Sequence, residues 1–254
     1  MLGLLIESPF EQFEVVSLLG VRFYCFDVSL TNSSVLILIA VLSLSCLIRL
    51  VYFEGGLLGG GVFQSILESI YLGILRIGKD SIGVSGSVYV GPLMTLFVGI
   101  LLLNLLGMIP YSYCITSQIV VTFCMGLGVW LGKLLVGVRR HGIRLFSLFL
   151  PEGLPFPLVP FFVIIEVVGF VIPVLSLSVR LFANMMSGHV LLKVLFGFTW
   201  LIGIGSWLGS LLQVMPLVVL IGLIGLELSV ALIQAYVFTL LTCIYLSDME
   251  SGGH

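Results

Sequence analysis

A permanent cation, Arg180, lies in the stretch LSVRLFANMMSGHVLLK (Leu177–Lys193), within apolar sequence that runs almost unbroken from Phe156 to Leu246. An arginine at the centre of a bilayer costs from about 3 to more than 10 kcal/mol, so charges in such places usually mark ion pathways. Unlike lysine, it cannot shed its proton. Other polar groups accompany it: Glu166 towards one end of the run, His189 and Glu227 further in, Asp248 just past its end, and the amides of Asn184 and Gln234. Titratable groups on both sides of a fixed cation could pass protons, provided that something carries them past the cation.

The spacing sharpens this reading. At about 100° per residue, Glu166, Ser176, Arg180 and Asn184 lie within roughly 40° of one line along a helix, whereas His189 faces away. Glu227 and Gln234, seven apart, share a face of the next helix. The helical rise puts His189 about 13 Å beyond Arg180 and Glu166 about 20 Å from it in the other direction. If the two helices form a hairpin that turns at about residue 207, antiparallel partners stand equidistant from the turn. Arg180 with Gln234, His189 with Glu227, and Glu166 with Asp248 all satisfy that condition closely. Two such clusters suit two separate water-filled half-channels with Arg180 between them. The carrier would be a carboxyl group on another subunit. Desolvation keeps it protonated in lipid, and approach to Arg180 favours the anion and drives release. The membrane field supplies about 2.3 kcal/mol per charge for each 100 mV.

Each residue also has a structural reading. Arg180 could pair internally or reach headgroups, although its distance from either helix end argues against the latter. His189 and Glu227 could form a buried hydrogen bond, Asn184 and Gln234 could bind helices together, and Glu166 and Asp248 could anchor at the interface. No metal site is expected, because four residues after His189 stands Lys193, itself expected to reach headgroups. The GxxxG spacings of Gly128/Gly132 and Gly205/Gly209 suggest packing or a turn rather than dimerisation.

The elements that position these groups follow from composition. Of 254 residues, 60% are hydrophobic and only 9% charged, far below the roughly 25% of soluble domains. Mean hydropathy is +1.30. These values define an integral membrane protein, and backbone satisfaction in lipid makes its spans helical. The expected fold is all-α: about three transmembrane helices, an interfacial amphipathic helix and a long, strongly tilted two-helix hairpin. Along a single membrane domain, 1–254, an N-terminal arm (1–34) leads to a first span (35–53). An interfacial helix (56–79), a helical hairpin (88–138) and the long hairpin (158–247) follow.

In the interfacial helix Ile66, Ile70, Leu72, Ile74 and Ile77 are expected to share an apolar side, and DSIGVSGS (Asp80–Ser87) to end it. GMIPYSYCITSQ (Gly107–Gln118) reads as a short interfacial turn, and Pro151, Pro155, Pro157 and Pro160 defer helix until about Phe161. Beyond that point four ordinary spans would need polar turns near Arg180 and Glu227, where there are strong helix formers. Helices of about 40 residues joined at the glycine-rich GIGSWLG (Gly203–Gly209) are favoured instead. Each would be some 60 Å long, with Pro173 and Pro216 as bending points.

Arg49, Arg76, Lys79, Lys133, Arg139, Arg140 and Arg144 fall in two segments, while Tyr111–Ser117 has no Lys or Arg. The positive-inside rule puts both basic segments on the cytoplasm-equivalent side and the N-terminus outside. Net charge is −2, with no basic stripe for nucleic acid. Cys25, Cys46, Cys114, Cys124 and Cys243 show no metal or redox spacing and read as free thiols. A short propeptide ending before Ser8 is compatible with the sequence.

RLFANMMSGH (Arg180–His189) with GLELSVALIQAYV (Gly225–Val237) closely resembles subunit a of the F-type ATP synthase. NLLGMIPYSYCITSQ (Asn104–Gln118), the RRHG and LPEG loop, and SPFEQFEV (Ser8–Val15) resemble its mitochondrial branch. The resemblance implies a non-catalytic, cofactor-free stator subunit in a multi-pass position in the mitochondrial inner membrane. Its implied partners are a rotor ring of c subunits, peripheral-stalk and other membrane-sector subunits, lipid, and a second ATP synthase in a dimer. Arg180 would be the essential stator arginine, with Asn184 and Gln234 at the carboxyl-exchange site. His189 and Glu227 would line the intake half-channel, and Glu166 and Asp248 the exit. The segments Val21–Asn32 and Gly55–Gly61 stand as modest departures that the resemblance does not place. With no phosphate-binding G-x-x-x-x-G-K-[ST] loop, ATP chemistry belongs to other subunits. A self-contained channel or transporter would call for a continuous polar path or an inverted repeat, neither of which is visible. A structural scaffold is disfavoured by Arg180, and sodium coupling would be decided by ligands on the rotor.

Overall fold

The computed structural model describes residues 10–20, 22–23, 26–27, 29–54, 62–83, 86–109, 112–142, 159–203 and 212–251. Six α-helices make up most of it: α1 (Asn32–Glu54), α2 (Val62–Ile82), α3 (Gly86–Gly107), α4 (Ile119–His141), α5 (Val159–Gly203) and α6 (Val214–Ser251). Among the described residues, Gly86–Gly107, Ile119–His141, Val168–Gly203 and Val214–Glu250 are long and apolar enough to cross a membrane, and Asn32–Cys46 is a shorter apolar helix. The protein is an all-α, multi-pass membrane protein. Helix α5 has 45 residues and α6 has 38, about 68 and 57 Å at 1.5 Å per residue. Neither can stand upright in a hydrocarbon core of about 30 Å. Both are continuous through Arg180 and Glu227, which excludes four ordinary spans.

Helix α5 continues through Pro173, the interior proline expected to bend it. Pro216 belongs instead to the first turn of α6, where a missing N–H leaves no bond unmade, so it is not an interior bending point. The proline-rich stretch of the basic loop (143–158), Gly55–Gly61 and the turn expected near residue 207 lie outside the described residues.

The chain divides into two compact units. The first comprises Met1–Ser43, Ile100–Gln118 and Leu181–Gln234. Its N-terminal arm contains two short antiparallel pairs, β1 (Ser17–Leu19) with β4 (Leu30–Thr31) and β2 (Arg22–Phe23) with β3 (Phe26–Asp27), an addition to the helical frame that the sequence did not announce. A capping box opens α1. Ser34 N donates to Thr31 Oγ1 (3.3 Å), and Thr31 N donates to Ser34 Oγ (2.9 Å). Asn32 ties the arm down by donating to the Glu14 carbonyl and accepting from Val16 N.

In the turn between α3 and α4, Tyr113 to Ser117 are buried. A 3-10 turn over Ile115–Ser117 satisfies its own backbone, with Ser117 N on Cys114 O and Gln118 N on Ile115 O, and this permits burial. Cys114 packs with Met185 of α5 and Ala231 of α6, and Met108 lies against them. Burial pushes both the Cys114 thiol and the Tyr113 phenol up from their ordinary pKa values.

The second unit comprises Leu44–Gly99, Ile119–Arg180 and Ala235–His254. Ile74 of α2 is buried with Val90 and Leu93 of α3 and Cys243 of α6, and Ile70 and Ile77 pack alongside. Leu72 and Ile66 are exposed, and Leu72 does not share that side. At about 100° per residue Leu72 points some 200° away from both Ile70 and Ile74, so the expected apolar side is narrower than the composition suggested. The helix outruns Lys79 and ends at Ile82, where Gly83, at φ +80°, turns the chain in the left-handed region that favours glycine. The far end of α6 is tied down by Ser247 Oγ donating to Ser81 O (2.7 Å), His141 Nε2 against Met249 O (3.0 Å), and an Arg140–Glu250 ion pair.

Candidate functional site

Arg180 stands almost at the midpoint of α5, and it is exposed. Among the described residues it makes no ion pair. Its orientation is set from behind. Ser178, 1% exposed and about 200° around the helix from Arg180, sits against Gly126 of α4, where any Cβ would collide with the Ser178 hydroxyl. Ser178 Oγ in turn donates to Val174 O at 3.0 Å. A glycine at the crossing therefore brings the inward face of α5 against α4 and leaves the arginine looking outward. At Gly128 and Gly132, the GxxxG pair, an added Cβ would by contrast meet nothing within 4 Å.

In the first unit α5 and α6 form the antiparallel hairpin expected from the numbering. Met185 and Ala231 share a cluster, Gly188 faces Glu227, and Gly203 faces Gln213. The midpoints of these pairs fall at about residue 208, which agrees with the expected turn. A Cβ on Gly188 would lie 2.5 Å from Glu227 Oε1, so the absence of a side chain there admits the carboxylate. Glu227 is 8% exposed. His189, next along α5, is half-buried. The hydrogen bond of the structural alternative is not formed: His189 Nε2 and Glu227 Oε1 are both buried without a partner. Each such buried polar atom costs about 1–3 kcal/mol, a burden with no structural return.

Asn184 and Gln234 are half-buried in this same unit, and Ser187 Oγ donates to Asn184 O at 3.3 Å. Glu166 and Asp248 belong to the other unit. The backbone of Glu166 lies in α5, and its side chain is outside the described residues. Asp248 is exposed near the end of α6. Three residues before it, Tyr245 lies within electrostatic reach of both Asp248 and Arg180.

Lys133 was counted with the basic segments by its charge, within the expected hairpin 88–138. It lies inside α4 and is 8% exposed, with its ammonium 4.0 Å from the Phe170 ring centroid and 5.2 Å from that of Tyr245. Aromatic residues on two other helices determine its place, and a single-chain charge pattern cannot register them. Asn104, fully buried with both amide atoms unpartnered, was a further polar residue that the sequence reading passed over. Cys46, Cys114, Cys124 and Cys243 are free thiols, and Cys25 lies outside the described residues. No cluster of metal-ligating side chains occurs among the described residues.

Four described helices long and apolar enough to cross a membrane define a polytopic membrane protein. Residues 33–247 match the family model "ATP synthase A chain". The chain is 43% identical over 245 residues to ATP synthase subunit a of Chondrus crispus, covering 96% of each chain. It is 42% identical over 259 residues to that of Brassica napus, covering 97% of each. For Marchantia polymorpha the figure is 40% over 245 residues, covering 95% of this chain and 97% of the relative. The chain belongs to the ATP synthase A chain family, with a proton-translocating role in the membrane sector.

Proposed function

We propose that the chain is the stator half of a proton turbine in the mitochondrial inner membrane, non-catalytic on its own. It provides two aqueous half-channels separated by Arg180 and exchanges protons with carboxyl groups of a rotor ring. The observation that carries this reading is the exposure of Arg180 at the middle of a 45-residue apolar helix whose opposite face is fixed by Ser178 on Gly126. A charge so placed in lipid calls for a counter-charge, and the exposed face of α5 offers it to a neighbouring subunit. A rotor carboxyl arrives neutral, is favoured as an anion beside the guanidinium, and leaves only after reprotonation.

His189 and Glu227 form the intake side: two buried titratable atoms without fixed partners can take and give protons instead of locking into a structural bond. Asn184 and Gln234 supply amides at the exchange site, and Glu166 and Asp248 form the exit. The peripheral stalk, other membrane-sector subunits and a dimer partner complete the assembly.

Accessibility from the two sides of the membrane tests the half-channels. His189→Cys and Asp248→Cys are placed singly in assembled complex whose native cysteines are replaced, and a membrane-impermeant thiol reagent is applied to each side. The reading predicts that Cys at 248 reacts from the side bathing the basic loops and Cys at 189 from the opposite side. Reaction of both from one side would overturn it.

A further inference from the structure

The N-terminal arm carries apolar surface that the proton path does not use. Val15, Val16, Leu18 and Leu19 are between 52% and 61% exposed, and Leu30, opposite Leu19 in the β1–β4 register, is 44% exposed. Successive residues of a strand point to opposite faces, so Leu18 and Leu19 make both faces of the ribbon apolar. A strand pair with one wet face would alternate apolar with polar residues instead. From Val15 to Thr31 only Arg22 and Asp27 are charged, and β2 and β3 set them opposite each other in register. An apolar patch of this kind marks contact with protein or with membrane.

The fastenings of the arm decide between the two. At one end Gln118 Nε2 donates to Phe13 O at 2.9 Å, and Gln118 is the residue before α4, a helix long and apolar enough to span. At the other end β4 stops at Thr31 and α1 starts at Asn32, with no residue between them. Asn32 also donates to Glu14 O at 3.2 Å and accepts from Val16 N at 3.3 Å, which brings the approach to β1 to the same point. Both helices are apolar and exposed from their first turns, at Val35 and Leu38 and at Ile119 and Val120. The stretch from Phe13 to Asn32 is therefore tied at two points where apolar helices begin. Such points lie at the boundary between water and hydrocarbon, so the ribbon emerges at the level of the lipid headgroups rather than above them. Its paired strands satisfy part of their own backbone, which eases a place in that layer.

We propose that the N-terminal arm is a membrane-surface anchor: its β ribbon lies in the headgroup layer where α1 begins, with Val16, Leu18 and Leu19 against acyl chains. The partner is the lipid surface itself. Through Gln118 the anchor steadies the α3–α4 turn, whose Cys114 packs on Met185 and Ala231 of the long hairpin. Glu11 and Glu14, exposed at the base of the ribbon, stay on the water side.

The test uses the assembled complex with its native cysteines replaced and Val16→Cys, Leu19→Cys or Glu14→Cys introduced singly. Each is labelled with bimane in the detergent-solubilised complex, after assembly, and Cys in place of an exposed Val or Leu opens no cavity. The complex is then reconstituted in phosphatidylcholine vesicles with or without lipid that carries a nitroxide near the top of its acyl chain. Iodide on both sides of the membrane serves as the aqueous quencher. Emission at positions 16 and 19 should be lost to nitroxide lipid and kept in iodide, whereas emission at 14 should be lost to iodide. Iodide quenching at 16 and 19 as strong as at 14 would place the ribbon in water and overturn the proposal. Protection of 16 and 19 from both quenchers, or their failure to take up label in detergent, would also overturn it, by showing that protein covers the ribbon.

Discussion

Gly188 on α5 and Glu227 on α6 stand so close that a methyl group on the glycine would come within 2.5 Å of a Glu227 carboxylate oxygen. The carboxylate occupies the volume that a side chain would take. Gly188→Ala should therefore displace Glu227 and slow proton pumping, and Gly188→Val should slow it further, with overpacking costing about 1–3 kcal/mol. Pumping rate per assembled complex is the measure. A parental rate in Gly188→Val would show that the position of Glu227 does not matter.

Glu227→Gln preserves size while removing the titrating group. If Glu227 relays protons, synthesis and pumping should fall by about tenfold or more, within the range seen for proton-transfer groups. Assembly should be unaffected, because Glu227 Oε1 has no partner to lose. Normal pumping with a less stable complex would instead mark Glu227 as structural.

Gly126 and Gly128 offer a paired comparison on one helix. Any side chain at 126 meets Ser178, whereas at 128 nothing lies within 4 Å. Gly126→Val should cost about 1–3 kcal/mol and move the segment that carries Arg180, while Gly128→Val should be close to neutral. Thermal stability of the purified complex separates the two, and equal effects would contradict the contact.

Cys114 is buried in the α3–α4 turn, and burial raises its thiol pKa. The thiolate is the reactive form, so a raised pKa means less of it near neutral pH and slower alkylation. A water-soluble maleimide near neutral pH should modify Cys114 only after the complex is unfolded. Rapid modification in intact membranes would show that the turn is open to water.

The helical frame was legible because its signals are long: apolar runs of twenty residues or more, and a run of about ninety residues with few charges. Equidistance from a turn near residue 207 agreed with the Met185/Ala231 and Gly188/Glu227 neighbours, because a continuous hairpin leaves little freedom of register. What stayed hidden depends on a partner element. Gly126 and Gly188 look alike until Ser178 and Glu227 arrive opposite them. Lys133 was only a charge in a basic segment until Phe170 and Tyr245 placed its ammonium. Leu72 was misassigned by composition where angle decides. The short strands of the N-terminal arm, two or three residues each, are too brief to leave a periodic signal.

The central claim is that Arg180 keeps the two half-channels apart and drives carboxyl exchange. The measurement that bears on it most directly is voltage-driven ATP synthesis together with passive proton leak in membranes carrying the assembled complex with Arg180→Ala, beside unmodified complex. The account predicts that synthesis is lost while assembly is intact and leak rises. Normal synthesis with unchanged leak would contradict it.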